Sequence, residues 1–360
     1  MKAFILVEPG FEKIAVQEIT RLVSLASKIA GQGVIEVEVS KEELAALAYQ
    51  GQSFKKVLIG LEKNADLEKV KFSKVAWTDY FFEGVKFKIE VEGVKGQDNR
   101  LEISRNIAGK IFPLVDFKIE IDVKNPELVV LVYFDGNKYF MGMDVCGFDL
   151  ARRNYRVFVN PASLRGDWGY YLIRKSGFVK GEKLVLGFIK DGTVLIEAAL
   201  FNSGKAVHYS QKFEFAFRKF PLFAGFNFTE FFDQLDARVK EGKVYGFDES
   251  MMNLRAARKN AKIAGVEQYL ELTKHGLDEL DVKFSEGEVD RLFFQITRKD
   301  EGQLNEIYHQ ANYVLRKKGT LMLMGRESWE VTISKKFRLL AEETVKRGDS
   351  NWKLWLMERI

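Results

Sequence analysis

The sequence predicts an α+β N-terminal half followed by an α/β C-terminal half built on a parallel sheet. Three observations lead there. The 360 residues exceed what one core carries, so more than one domain is expected. Up to residue 150 strand and helix patterns come in mixed order and close on consecutive strands. Beyond residue 181 strand and helix alternate, the mark of a parallel sheet.

In order, KAFILVE is a strand, Pro9-Gly10 a turn, and FEKIAVQEITRLV an amphipathic helix with apolar residues at helical spacing. GVIEVEVS alternates as a strand, KEELAALAYQ is a second helix, and VLIGL a strand that two short helices follow. KFKIEVEGV (strand), ISRNIAGKIF (helix), FKIEIDV, LVVLVYFDG and KYFMGMDV (strands) complete this half. Asp135-Gly136-Asn137 marks a hairpin turn between the last two. Residues 151–180 read as a linker ending in a helix. Strands are then expected at Lys183–Phe188, Lys243–Asp248, Leu270–Thr273, Asp290–Gln295 and Thr320–Met324, with helices at Thr193–Phe201, Ser250–Ala264 and Gln303–Lys317. A hairpin turning at Arg347-Gly348-Asp349-Ser350 closes the chain.

Composition narrows the class. Apolar residues at 46% and charged residues at 30% describe a globular protein, and five prolines leave little room for disordered linkers. One cysteine, Cys146, excludes a disulfide framework and a cysteine-based zinc site, and suits a reducing cytoplasm. No apolar run reaches the roughly 18 residues of a membrane span. His208, His275 and His309 lack metal-ligand spacing, so no metal is expected. The net charge of +5 is uneven: Lys+Arg against Asp+Glu stands at 20 to 23 over residues 1–150, 13 to 5 over 151–220, and 23 to 23 over 221–360. A basic block carrying aromatic residues suits nucleic-acid binding, and equally a solvated surface.

Within Ile121–Val157 stand Asp122, Asn125-Pro126 and Leu150-Ala151-Arg152-Arg153-Asn154-Tyr155-Arg156, and Ala162-Ser163-Leu164-Arg165 follows soon after. With Glu8-Pro9-Gly10-Phe11-Glu12 near the start, these resemble the THUMP-domain RNA guanine-N2 methyltransferases over nearly the whole length. The resemblance implies an α+β ferredoxin-like segment (1–50) and THUMP domain (51–150), a linker (151–180), and an α/β Rossmann-like methyltransferase domain (181–360). It also implies a THUMP domain holding the acceptor end of tRNA while the catalytic domain reaches a guanine.

The family's methyl-donor loop has an acid and two glycines before a helix reading Ile-Leu-Ile-Glu-Ala-Ala. LVLGFIKDGTVLIEAAL keeps the helix with Glu197, and Phe188, Gly192 and Thr193 of the loop. Leu186 stands for the acid and Lys190 for a glycine, where a side chain is expected to crowd the methionine end of S-adenosylmethionine. Asp248 fits the ribose-binding acid after the second strand, and equally a helix start. After the third strand Gly276 remains but Leu277 replaces the acid. After the fourth, where the family has Asn/Asp-Pro-Pro-Tyr, this chain has Gln295-Ile296-Thr297-Arg298.

These departures lead to a non-catalytic RNA-presenting or regulatory protein, cytoplasmic, with no cofactor and a partner enzyme. Asp248, Gly192 and Thr193 are then remnants of a cofactor site, and Gln295 marks the altered catalytic position. The alternatives are an active S-adenosylmethionine-dependent tRNA guanine-N2 methyltransferase with divergent motifs, and a protein-interaction scaffold. Arg152, Arg153, Arg156, Arg165, Arg174 and Lys175, beside Tyr155, Phe158, Trp168 and Tyr170, are the expected RNA contacts. Lys55, Lys56, Arg100, Arg105 and Lys110 extend the track.

Overall fold

The computed structural model describes residues 1–238, 242–348 and 350–360. The chain forms two compact units, one of Met1–Arg152 with His208–Ala237, the other of Arg153–Val207 with Arg238–Ile360.

The first unit contains β1 (Lys2–Val7), α1 (Glu12–Val23), β2 (Lys28–Gly31), β3 (Val34–Glu38), α2 (Lys41–Gln50), β4 (Phe54–Asn64), β5 (Lys86–Glu92), α3 (Gln97–Ile111), β6 (Glu120–Ile121), β7 (Leu128–Phe134) and β8 (Tyr139–Asp144). They make one eight-stranded sheet, ordered β2-β3-β1-β4-β8-β7-β5-β6. The expected border at residue 50 does not separate one layer from another, because β4 pairs with β1 on one side and β8 on the other. The two helices expected after β4 are three short 3-10 turns, at Leu67–Lys69, Phe72–Lys74 and Trp77–Asp79. FKIEIDV pairs only over Glu120–Ile121, because the Asp122 carboxylate accepts the N–H groups of Lys124 and Asn125 and turns the chain.

Local chemistry explains the helices. Ser40 and Glu43 form a reciprocal capping box at α2, with Ser40 Oγ accepting the Glu43 N–H at 3.1 Å and the Glu43 carboxylate accepting the Ser40 N–H at 2.7 Å. On α1 the buried Glu18 accepts the N–H groups of Gln52 and Ser53, both at 2.9 Å, and pairs with Arg21 at 3.2 Å. One carboxylate thus ties α1 to the chain entering β4.

The chain then builds α4 (Gly166–Lys175), β9 (Leu184–Gly187) and α5 (Thr193–Ser203) of the second unit. It returns to the first for an aromatic-rich segment ending in α6 (Phe228–Asp236). There Phe232 stacks on Tyr49 at 4.2 Å between ring centroids, and the Tyr49 hydroxyl donates to the Asp236 carboxylate at 2.8 Å. Burial and this neighbouring carboxylate hold the Tyr49 phenol above its ordinary pKa. The rest of the second unit is β10 (Val244–Phe247), α7 (Met251–Ile263), β11 (Leu270–Thr273), α8 (Leu280–Lys283), β12 (Val289–Gln295), α9 (Glu301–Val314), β13 (Leu315–Arg326), β14 (Phe337–Arg347) and β15 (Ser350–Arg359).

The second sheet runs β11-β10-β9-β12-β13-β15-β14, parallel from β11 to β13, with the terminal hairpin antiparallel at the edge. Arg347 and Ser350 face each other at the hairpin's tip; Asp349 of the expected turn lies outside the described residues. The stretch expected as a linker belongs largely to this unit, with Tyr170 of α4 packing edge-on against Phe201 of α5. No helix among the described residues is long and apolar enough to cross a membrane.

Glu18→Ala removes a buried acceptor from two backbone N–H groups. It should cost about 2–4 kcal/mol, read as a lower urea midpoint with the slope unchanged.

Candidate functional site

In open α/β sheets, ligands lie beyond the carboxyl ends of the strands where the strand order reverses. Here β9 connects through α5 to β10 on one side, while β12 lies on its other side. A cavity of about 500 Å³ opens at that point. Phe188 and Lys190 line it from the loop after β9, Asp248 and Asn253 from the end of β10 and from α7, and Gln295 and Thr297 from the end of β12.

The loop after β9 has the backbone of a glycine-rich turn, made with other residues. Phe188 and Lys190 both hold φ near +55°, and Gly192 holds +79°. Left-handed backbone at two non-glycine residues is strained and persists only where the surroundings impose it. Asp248 helps to impose it, since one carboxylate oxygen accepts the Lys190 N–H at 3.1 Å. Its other oxygen accepts the Ser250 N–H at 2.9 Å and the Asn253 side-chain amide at 3.0 Å. Ser250, not Asp248, caps α7. Gly192 is required twice, for its φ and because a Cβ there would come within 2.6 Å of the Ala257 Cβ. Asp191, just before the Gly192 N-cap of α5, closes the turn by accepting the Thr193 N–H at 3.1 Å and hydroxyl at 2.8 Å.

The segment from Arg153 to Ser163 is drawn onto this loop. Arg153 Nε donates to the Glu197 carboxylate at 2.7 Å, with both side chains buried, and the Tyr155 hydroxyl donates to the same oxygen at 2.7 Å. Burial and that carboxylate push the Tyr155 hydroxyl well above its usual pKa. Arg156 Nε donates to Thr193 Oγ1 at 3.1 Å and pairs with Asp191 at 3.6 Å. The buried Asn260 amide donates to the carbonyls of Phe158 at 2.9 Å and Asp191 at 3.0 Å. This brings Ala162 to Gln295, whose side-chain N–H donates to the Ala162 carbonyl at 3.1 Å. The amide is thereby oriented, and its oxygen has no hydrogen-bond partner among the described residues.

Of the expected cofactor residues, Asp248 lines the cavity, while Gly192 and Thr193 shape the loop behind it; Gln295, at the expected catalytic position, lines the cavity too. The expected RNA contacts divide. Arg153 and Lys56 are committed inward, to Glu197 and Asp144, because each neutralises a buried carboxylate. Tyr155, Trp168 and Tyr170 are core, not stacking platforms. Arg156 pairs with Asp191, Arg165 with the buried Asp167, and Lys175 with Glu343; Arg174 donates to the Phe178 carbonyl at 2.8 Å and lies over the Phe201 ring. Lys55 lies 3.8 Å from Glu8, Arg100 donates to the Gly96 carbonyl, and Lys110 pairs with Glu68. Arg152 and Arg105 are exposed. Sequence reasoning missed Asn160, Asn253 and Asn260, which carry no spacing signal; Glu197 was visible in VLIEAAL, but not its partner.

The crowding expected from Lys190 is absent, since the cavity stays open beside it. Its amine is buried and without a hydrogen-bond partner among the described residues. Burial lowers the ammonium's pKa to about 8. An acid with a spare lone pair, an oriented amide and this amine around such a volume fit S-adenosylmethionine. No group of metal ligands occurs among the described residues.

Two outcomes follow. Arg153→Met should cost about 3–5 kcal/mol by leaving Glu197 buried and uncompensated, and adding Glu197→Leu with Tyr155→Phe, which removes the hydroxyl that bonds Glu197, should recover most of it in denaturant melts. Because Lys190 holds its proton less firmly folded than unfolded, its charge opposes folding below pH 8, and the penalty fades as pH rises toward 10.5. Lys190→Gly should therefore stabilise the protein by about 2–4 kcal/mol at pH 7 and by less at pH 10.

Comparison with known proteins gives these features a family. Residues 153–348 match the model described as the RMKL-like methyltransferase domain, and residues 64–144 match the THUMP domain. The chain is 25% identical over 217 residues to the ribosomal RNA large subunit methyltransferase K/L of Photobacterium profundum, covering 57% of this chain but only 30% of that protein. It is 23% identical to the tRNA (guanine(6)-N2)-methyltransferase of Methanocaldococcus jannaschii, over 80% of this chain and 79% of that protein. Its fold is that of a possible methylase from Clostridium difficile 630 (TM-score 0.79, 19% identity, 100% and 98% of the chains covered). It is likewise that of the protein SMU.472, solved in complex with SAH (0.78, 16%, 99% and 97%). Relatives named as RNA methyltransferases overturn the non-catalytic reading, and the expectation of no cofactor loses its support. That reading equated a loop shape with the residues that usually make it, whereas Phe188 and Lys190 adopt the left-handed backbone themselves. The chain belongs to the family of RMKL-like methyltransferase domains and carries a THUMP domain ahead of that domain.

Proposed function

We propose that the protein is an S-adenosylmethionine-dependent RNA methyltransferase acting on the exocyclic amine of a guanine in tRNA. The observation that carries the reading is the shared cavity of Asp248 and Gln295, at the ends of β10 and β12 on either side of β9. The archaeal relative named for guanine N2 in tRNA, matched over most of both chains, supports the substrate class. RNA as substrate also supports a cytoplasmic place of work.

S-adenosylmethionine supplies an electrophilic methyl group. A carboxylate has about four lone-pair sites, and Asp248 spends three on protein donors, leaving one for a ribose hydroxyl. The Gln295 oxygen accepts one N–H of the guanine amine, which turns the nitrogen lone pair toward the methyl. A neutral amide orients but takes no proton, so the amine's proton leaves to solvent. Phe188, whose ring lines the cavity, offers a face for the base. The exposed Arg152 and Arg105 contact phosphates, with partly exposed Arg165 and Lys175 beside their acids.

The test is methyl transfer from labelled S-adenosylmethionine to tRNA and ribosomal RNA transcripts, with calorimetry of donor binding. Expected are incorporation at a guanine N2 of tRNA, a kcat about 100-fold lower for Gln295→Ala, and mainly a raised donor KM for Asp248→Ala. Absence of both incorporation and donor binding would refute the reading; incorporation only into ribosomal RNA would replace the substrate.

A further inference from the structure

Lys190 sits uncomfortably in its surroundings. Its backbone holds φ near +55°, a conformation that costs a lysine energy and costs glycine almost none. Its side chain lines the cavity at 8% exposure, with an amine that finds no hydrogen-bond acceptor among the described residues. Buried donors left unmade are expensive. The charged groups facing it are Asp191 and Asp248, which favour its proton, and Arg347, which opposes it; Glu249 and Arg298 stand on the same cavity wall. Two carboxylates lie near, but neither bonds the amine. Asp248 already accepts from Lys190's own backbone N–H, Ser250 and Asn253, and Asp191 accepts from Thr193 on one oxygen, while its other oxygen, buried without a hydrogen-bond partner among the described residues, lies 3.6 Å from Arg156. Strain and a missing partner at one residue are together explained by a ligand that supplies the partner.

Resting on the methyltransferase reading, we propose that Lys190 is the anion anchor of this cavity, pairing with the carboxylate of the donor's amino-acid end. Of the donor's groups only that carboxylate is anionic, and a sulfonium beside an ammonium is repelled. The four-carbon stem lets the amine turn to meet the carboxylate. Because the Lys190 amine is itself buried, such a pair discriminates, since a ligand lacking the carboxylate leaves the amine orphaned. Recognition at this loop then runs through a side-chain charge as well as backbone N–H groups. Lys190 is a binding residue and takes no part in proton transfer.

The experiment is calorimetric titration of the full chain with S-adenosylhomocysteine and with its decarboxylated analogue, in the unchanged protein and in Lys190→Met. S-adenosylhomocysteine carries the carboxylate without the sulfonium, which separates the two charge effects. The unchanged protein should bind it at least 30-fold more tightly than the analogue, and Lys190→Met should lose that preference by weakening only the carboxylate-bearing ligand. Should Lys190→Met not fold, titration of the unchanged protein at pH 7 and 9.5 gives the same decision. The preference should shrink at the higher pH as the amine, with a pKa of about 8, loses its proton. A preference that survives Lys190→Met, grows with pH, or is absent while S-adenosylhomocysteine still binds would overturn the anchor and leave the methyltransferase reading standing. Binding of neither ligand would overturn both.

Discussion

The second unit depends on one buried ion pair, Arg153 with Glu197. Glu197 lies fully buried on α5, against Gly166 and Gly169 of α4, and a bare carboxylate there would be intolerable. Arg153 neutralises it with two nitrogens, and Tyr155 satisfies the same oxygen from the side. The pair clamps the segment entering the unit across the start of α5. From that clamp follow the Arg156 contacts to the loop, the Asn260 clasp, and the approach of Ala162 to Gln295. The cavity wall contributed by Asn160 and Ala162 exists because a salt bridge holds their segment in place.

Much of this was legible. Period-2 and period-3.6 patterns locate nearly every long strand and helix, and the alternation after residue 181 reveals the parallel sheet, because burial of one face enforces those periods. Asp248 and Gln295 could be placed at their strand ends for the same reason. What escaped depends on contacts distant in sequence. Arg153 and Lys56 read as solvent-facing cations because a basic residue carries no local sign of the carboxylate it will meet, 44 residues on for Arg153 and 88 for Lys56. FKIEIDV reads as a strand by its alternation, yet the turn made by the Asp122 side chain ends it early.

The β9 loop shows how far residue identity can stray from backbone shape. Glycine is the economical residue at positive φ, so its absence suggests that the shape is gone. Here Asp248 and the Asp191 turn onto Thr193 hold the loop from both sides, and the strain of Phe188 and Lys190 is absorbed by the remainder of the unit. In the proposed anchor role, stability and ligand recognition pull Lys190 in opposite directions.

The aromatic segment ending in α6 has a consequence for how the protein is made. Tyr49, Phe215, Phe217 and Phe232 share one core, yet Tyr49 is translated more than 150 residues before the rings that cover it. On the ribosome, where domains fold as they emerge, Tyr49 of α2 waits without its covering rings until residue 237 has left the tunnel. By then β9 and α5 of the second unit are already synthesised. Neither half is a contiguous stretch that can be cut out at residue 152, so gene fragments designed on the family borders would yield an N-terminal piece with an uncovered core.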